Sequence, residues 1–368
     1  MKCSLKVDDL ILAINTVTRA LSGKSAIAAL EGIHVSAEDN TLTLTCSDLS
    51  LCITTSISAM VEEAGEIVVP GRLFSDMARR LPASEVFLST DGLSVKVLSG
   101  KARFSLSGIA AENYPTMPTI SEVNPLVLSR DQLKDMIRAT LFACASDESK
   151  PILTGVLFEL VNGAINVVAL DGYRLALYKD APKNQRENIS FVVPQRYLSE
   201  ISRALGDGKD DVTLFLGRSQ MMVQVGNTRI TVRLLEGEYI KYRAILPVEY
   251  ATRVKIEAKA LLESVERASL MASAGKNNLV KLEIKDGTLA LTANSELGDV
   301  YEDIEIVKEG KDLEIAFNAR YLMDSLRAIG DETVHMDFNS NINPCVITPY
   351  EGDRFLYLVL PVRIYGAN

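Results

Sequence analysis

The sequence predicts an α+β chain of three repeated domains, each built from two helices and antiparallel sheets. Three observations predict it. First, the segments VVPGRLFSDMARRL, VVPQRYLSEISRAL and AFNARYLMDSLRAI set Arg72, Arg196 and Arg320 at a constant spacing of 124 residues. Arg79, Arg203 and Arg327 keep that spacing, as do the acids Asp76, Glu200 and Asp324. A third of 368 residues is about 123, so three copies fill the chain. That period exceeds the 20–50 residues of a solenoid repeat and reads as whole domains. Second, NTLTLTCSDLS, GAINVVALDGY and GTLALTANSEL alternate apolar and polar residues. Leu42 and Leu44, Ile165 and Val167, and Leu289 and Leu291 mark half-buried antiparallel strands. Third, turn signals EDN, VNG and KDG precede those strands, as in hairpins.

Each repeat opens with an amphipathic segment: VDDLILAINTVTRAL, SRDQLKDMIRATLFA and EAKALLESVERASLM. A strand follows, as EGIHVSA, TGVLFEL or NLVKLEI. A second helix starts after Pro70, Pro194 or Asn318, over 71–81, 195–205 and 319–329. Its apolar stripe is expected at Leu73, Met77 and Leu81, and at Tyr197, Ile201 and Leu205. Domain limits fall in the Pro-rich YPTMPTISEVNP and after ILPVEY, giving domains 1–124, 125–249 and 250–368.

Composition excludes several classes. With 47% hydrophobic and 24% charged residues the chain is not disordered. Its longest apolar runs, such as Leu356–Val362, are strand-length, and MKCSLKVDDL lacks the apolar core of a secretory leader. Cys3, Cys46, Cys52, Cys144 and Cys345 form no CxxC pair, which suits reduced thiols in a cytoplasm. His34 and His335 lie in strand-like runs, so neither a zinc site nor histidine acid–base chemistry is expected. A net charge of −9 argues against a chain that coats nucleic acid with its whole surface.

SDLS with VVPGR and RFSLSG, then LTGVLFE, ALDGYRLALYK and GEYIKYRAILP, then FNARYL, NPCVI and LVLPVR appear in this order along the chain. Together with the threefold repeat, they make the whole chain resemble the bacterial DNA polymerase III beta sliding clamps. The resemblance implies a head-to-tail homodimeric ring whose helices surround duplex DNA and which tethers the replicative polymerase. It implies no cofactor, no metal and no catalysis. It also implies three partners: sequence-independent duplex DNA, a clamp loader, and proteins carrying short peptides of Gln-Leu-x-Leu-Phe type.

Charge agrees with that picture. The second helices sum to +2, +1 and +1 in a chain of −9, and phosphate contacts carry no base information. Arg72, Arg79 and Arg80, Arg196 and Arg203, and Arg320 and Arg327 are therefore expected to face DNA. The resemblance implies that Lys24 in SGKS joins them, since it falls where the family places a basic DNA-contacting residue; Lys134, Arg138 and Lys150 are further candidates, although each alone reads as a solvated charge. The GKS is no phosphate loop, because Thr18 stands where a glycine is needed.

By position in the family's motifs, Leu153, Gly172, Tyr173, Arg174, Leu175 and Ile245 should line a peptide pocket. Tyr321, Ile342, Leu358, Leu360, Pro361, Val362 and Arg363 complete it. Tyr173 replaces a common histidine, Leu170 a threonine, and Ala244 and Asn277 a basic and an aromatic residue, which alters peptide preference. The tail continues as YGAN beyond LVLPVRI, which displaces the terminal carboxylate from its usual place.

The ring joint is expected between KARFSLS and the acidic ELGDVYEDIEI. Lys101 and Arg103 alternate there with Phe104 and Leu106, and Leu270, Met271 and Glu302 should meet them. Two rivals remain: a homo-oligomeric scaffold without DNA, and a hydrolase using Asp48, Asp171 and Glu296, which sit at similar places in the three repeats.

Overall fold

The computed structural model describes residues 1–116, 120–147, 149–275, 278–330 and 332–363. Among them are six α-helices: α1 Val7–Val17, α2 Gly71–Ala78, α3 Arg130–Thr140, α4 Gln195–Ala204, α5 Ala258–Ala272 and α6 Ala319–Ile329. The chain forms two compact units, Met1–Asp131 with Tyr197–Leu234, and Gln132–Arg196 with Leu235–Asn368. These units cut across the three repeats, because sheets do so too.

In the first unit an eight-stranded sheet runs from Leu126–Ser129 to Gly65–Pro70. Its centre joins Thr228–Arg233 to Leu51–Ser58, with Ile230 opposite Ile53. A strand of the second repeat thus completes a sheet of the first. A five-stranded sheet ends at Ala102–Ser107, which among the described residues pairs only with Ser94–Ser99. In the second unit, Arg174–Asp180 pairs with Phe355–Val359 inside a nine-stranded sheet. A four-stranded sheet there ends at Gly298–Glu305, which among the described residues pairs only with Thr288–Ser295. KARFSLS and ELGDVYEDIEI therefore both hold edge strands.

Leu42, Leu44, Ile165, Val167, Leu289 and Leu291 are all fully buried, as period-two alternation requires. Asp39 and Asn40 take φ of 47° and 58°, and Asn162 and Gly163 take 52° and 80°. Two successive positive φ values make type I′ turns, whose twist matches the flanking strands. The third turn has positive φ only at Gly287.

The helices correct two expectations. The spacing Leu73, Met77, Leu81 suggests a stripe, but Leu73 is 55% exposed. Phe74, Met77 and Ala78 are buried instead, following the i, i+3, i+4 pattern. Helix α2 also stops at Ala78, so Arg79 is its C-cap and Arg80 lies beyond it. Helix α6 spans the expected 319–329, started by the Asn318 side chain, which accepts a bond from the Arg320 amide at 3.0 Å.

All five cysteines are buried and unpaired. Burial pushes the thiols of Cys3 and Cys52 up to about 11 and that of Cys144 to about 12. Cys46 and Cys345 are raised further by the same cause. Thiolate is the reactive form. A disulfide reagent at pH 8 should therefore label none of the five in the folded chain and all five in denaturant. Rapid labelling of one thiol under native conditions would contradict its burial.

Candidate functional site

The expected pocket residues all fall in the second unit. Leu153, Leu175 and Leu358 are buried in one apolar cluster with Leu170, Leu177 and Tyr242. Leu360 and Leu246 pack on that cluster while half-buried. Register explains the meeting: Leu175 lies opposite Leu358 in the ladder between Arg174–Asp180 and Phe355–Val359. After Val359 the chain leaves the ladder but stays tied down by two backbone bonds. The Leu360 amide donates to the Tyr173 carbonyl at 2.9 Å, and the Val362 amide donates to the Ala316 carbonyl at 2.8 Å. Leu360 is thereby held above the buried leucines, presenting apolar surface to solvent.

A polar wall stands beside this floor. Asp171 builds a tight turn, its Oδ1 accepting from the amides of Tyr173 at 2.8 Å and Arg174 at 3.0 Å. Gly172 in that turn has φ of 93°, a value that favours glycine. Arg174 Nε donates to Asp171 Oδ2 at 3.0 Å, and its Nη1 donates to Asp324 Oδ2 at 2.6 Å. Its guanidinium also stacks on the Tyr321 ring at 4.7 Å and on Phe142 at 5.6 Å. Tyr321 stacks in turn on Tyr173, centroids 5.8 Å apart. Burial first, then the Asp171 carboxylate, holds the Tyr321 hydroxyl above its ordinary pKa. Arg174 is therefore a fixed strut, and Tyr173, 60% exposed, forms the open rim.

Other expected pocket residues lie on loops. Ile245 ends the 3-10 turn Tyr242–Ile245 and is exposed, as is Ile342 between the strands Thr333–Phe338 and Cys345–Pro349. Pro361 and Val362 are half-buried, and Arg363 is exposed. Asn277 and the YGAN tail lie outside the described residues. Asp324, Phe142 and Leu246 were missed as site residues. Asp324 carried a signal as the third member of the repeated acids, but nothing in the sequence points it to Arg174.

The basic residues expected to face DNA are exposed, apart from half-buried Lys134. In the first unit, Arg72 lies beside Gly23, the chain neighbour of Lys24: a side chain added at Gly23 would meet the Arg72 guanidinium at 3.6 Å. Arg79 bridges α2 to α1, donating to Asn15 Oδ1 at 2.9 Å. Several arginines are partly neutralised: Arg79 by Asp76 at 3.6 Å, Arg138 by Asp135 at 3.0 Å, and Arg203 by Glu200 at 2.8 Å. Arg327 turns to Glu266 of α5 at 2.8 Å, because Asp324 is held by Arg174. Arg80, Arg196 and Arg320 are exposed on or beside their helices, and Lys150 is exposed just before the 3-10 turn Pro151–Thr154.

Two of the three carboxylates that a hydrolase would need, Asp48 and Asp171, are taken up in building turns. Asp48 Oδ1 accepts from the amides of Ser50 at 3.0 Å and Leu51 at 2.7 Å, which repeats the turn of Asp171. Glu296 is exposed.

Comparison with known proteins decides the family. Family descriptions of the DNA polymerase III beta subunit match in series: its N-terminal domain over residues 1–118, its central domain over 127–241 and its C-terminal domain over 243–363. This chain belongs to the DNA polymerase III beta subunit family. It is 33% identical to the beta sliding clamp of Staphylococcus epidermidis, covering 99% of this chain and 100% of the relative. The sliding clamp structure from Bacillus subtilis superposes with a TM-score of 0.97 at 31% identity, over 99% of this chain and 100% of that one. The beta subunit of Streptococcus pyogenes gives 0.96 at 34%, with the same coverage. Beta subunits are non-catalytic members of the polymerase, so the chain is not an enzyme. Among the described residues no helix is long and apolar enough to cross a membrane.

Proposed function

We propose that this chain is a sliding clamp in which two copies close head to tail around duplex DNA and tether the replicative polymerase. The series of three beta-subunit domains over nearly the whole chain carries this reading. We take the domains as 1–124, 125–249 and 250–368 and place the chain in the cytoplasm, where reduced thiols persist. Arg72, Arg79, Arg80, Lys24 and Arg203, with Lys134, Arg138, Lys150, Arg196, Arg320 and Arg327, face the duplex. They attract phosphates without reading bases, so the ring slides. Enclosure supplies persistence, which lets each contact stay weak. Replicative polymerase, clamp loader and other proteins dock their short peptides on Leu360, Tyr173 and Tyr321 over the buried leucines.

The joint between copies uses the two free edges. Lys101, Arg103 and Phe104 on one meet Leu270, Met271 and Glu302 beside the other. Leu106 takes a lesser part than its sequence position suggests. It is 7% exposed and packs beneath its own sheet, so a lysine there would test folding before association.

Retention on circular DNA tests the function. After loading, the protein should stay on a nicked circle and leave once the circle is linearised. A scaffold that ignores DNA would not load, and a surface binder would stay on both forms. Reversing Arg72, Arg196 and Arg320 to Glu should weaken loading and flatten its salt dependence by about three phosphate contacts. These positions are exposed, so folding should change little. An unchanged salt slope would remove these helices from the DNA face.

A further inference from the structure

We propose that the joint between copies has a second seat on the outer face of the edge strand Ala102–Ser107, filled by Tyr301 of the other copy. This rests on the head-to-tail dimer above and adds a contact to it.

Side-chain alternation sorts each edge into two faces. Val95 lies opposite Leu106 and Val97 opposite Phe104, on the face where Val95, Val97 and Leu106 are buried. Arg103 lies opposite Leu98, and Leu98 opposite Phe87, on the other face. There Phe87 and Leu98 are 47% and 38% exposed, two adjacent apolar side chains on a solvent face. With Lys96, Arg103, Ser105 and the rim of Phe104 they line an open groove. Ser105 and Ser107, the other outer residues of the edge strand, are too small to close it toward the edge.

The strand Gly298–Glu305 sorts likewise. Glu302 is on the face of α5, gripped by Arg267 at 2.7 Å and 2.6 Å. Asp299, Tyr301 and Asp303 alternate with it and point away from the helix. Tyr301 is 62% exposed, its hydroxyl donating to Asp303 at 2.8 Å.

When two edges join into one sheet, inner face meets inner and outer meets outer. Phe104 then meets Leu270 and Met271 on the inner side, as already described. On the outer side, Tyr301 lies across Ser105 toward Leu98 and Phe87. Leu98 then stands two strand spacings of about 4.8 Å from Tyr301, a gap that the two side chains span together, with Phe87 one strand further in. Charge favours the same partner: Lys96 and Arg103 border the groove, and Asp299 and Asp303 flank the tyrosine. A tyrosine with an apolar body and a hydroxyl kept at the rim is the residue type that anchors such seats.

The test is sedimentation of the full chain over a dilution series, with circular dichroism to confirm folding. Tyr301→Ser and Phe87→Ser should each raise the dimer dissociation constant. A loss of roughly tenfold per joint becomes about a hundredfold, because a closed ring has two joints. Tyr301→Phe should stay near the parent. The double variant should be little worse than either single, since both remove one contact. An unchanged dissociation constant for Tyr301→Ser, or fully additive losses, would overturn the second seat. Leu270→Lys separates the two levels. If it too stays dimeric, the underlying joint is wrong; if it alone gives monomers, only the outer seat is.

Discussion

A Leu270→Lys chain should sediment as a folded monomer and fail to stay on a nicked circle. Leu270 lies in the last turn of α5 and is 67% exposed, so the isolated chain gains little from it. Met271 beside it reaches the turn at Gly298, where an added side chain would meet its sulfur at 3.6 Å. Helix end and acidic edge therefore form one surface. Burying a leucine in a joint is worth about 2 kcal/mol, and a lysine in its place must also be desolvated. Two joints double the loss to about 4 kcal/mol, near a thousandfold in dissociation constant. Phe104→Lys should act alike, whereas Arg103→Ala should remain dimeric, since an exposed ion pair contributes about 0–1 kcal/mol. Sedimentation at nanomolar concentration decides it, and a dimeric Leu270→Lys protein would place the joint elsewhere.

Leu360→Ala should weaken a Gln-Leu-x-Leu-Phe peptide by about 1–3 kcal/mol, some five- to 150-fold, with little change in unfolding temperature. Leu360 is only half-buried in the free chain and lies over Leu153, Leu175 and Leu358. Truncating it should remove surface that a bound peptide would use more than the fold does. Arg174→Ala should behave differently. It strips the partner from Asp171 and Asp324, whose side chains are only 13% and 22% exposed, so stability falls together with binding. Calorimetry with the peptide and thermal unfolding separate the two. Equal binding by Leu360→Ala would move the pocket.

Much of this was legible in the sequence, for reasons that particular residues show. The alternation in KARFSLS gave a strand with two unlike faces, because period two marks a ladder, and its place at an edge was expected from the ring joint that the resemblance implies. Asn318 announced α6 because a short polar side chain can satisfy a free helix amide. Leu73 misled because spacing by four alone drifts around a helix, and Phe74 was the better anchor. The fusion of sheets across repeats left no local mark, since Ile53 and Ile230 look like any strand residues. The Arg174–Asp324 contact was equally silent: its partners stand 150 residues apart, and only the fold brings them together.

That contact has a consequence for how a duplicated scaffold specialises. The turn of Asp48 in the first repeat has the same bonds as the turn of Asp171, and the Arg233 amide reaches the Ser50 carbonyl at 2.8 Å much as Leu360 reaches Tyr173. Leu49 even adopts a φ of 73° where the later repeat has Gly172 at 93°. The backbone of the pocket wall thus exists twice in one chain, and side chains tell the copies apart. With Leu51 in the place of Arg174, Glu200 is left to Arg203 and Arg19; with Arg174 present, Asp324 changes allegiance and Arg327 finds Glu266 instead. Rerouting one carboxylate, with no new loop and no new fold, therefore separates the wall proposed to receive peptides from its counterpart in the first repeat.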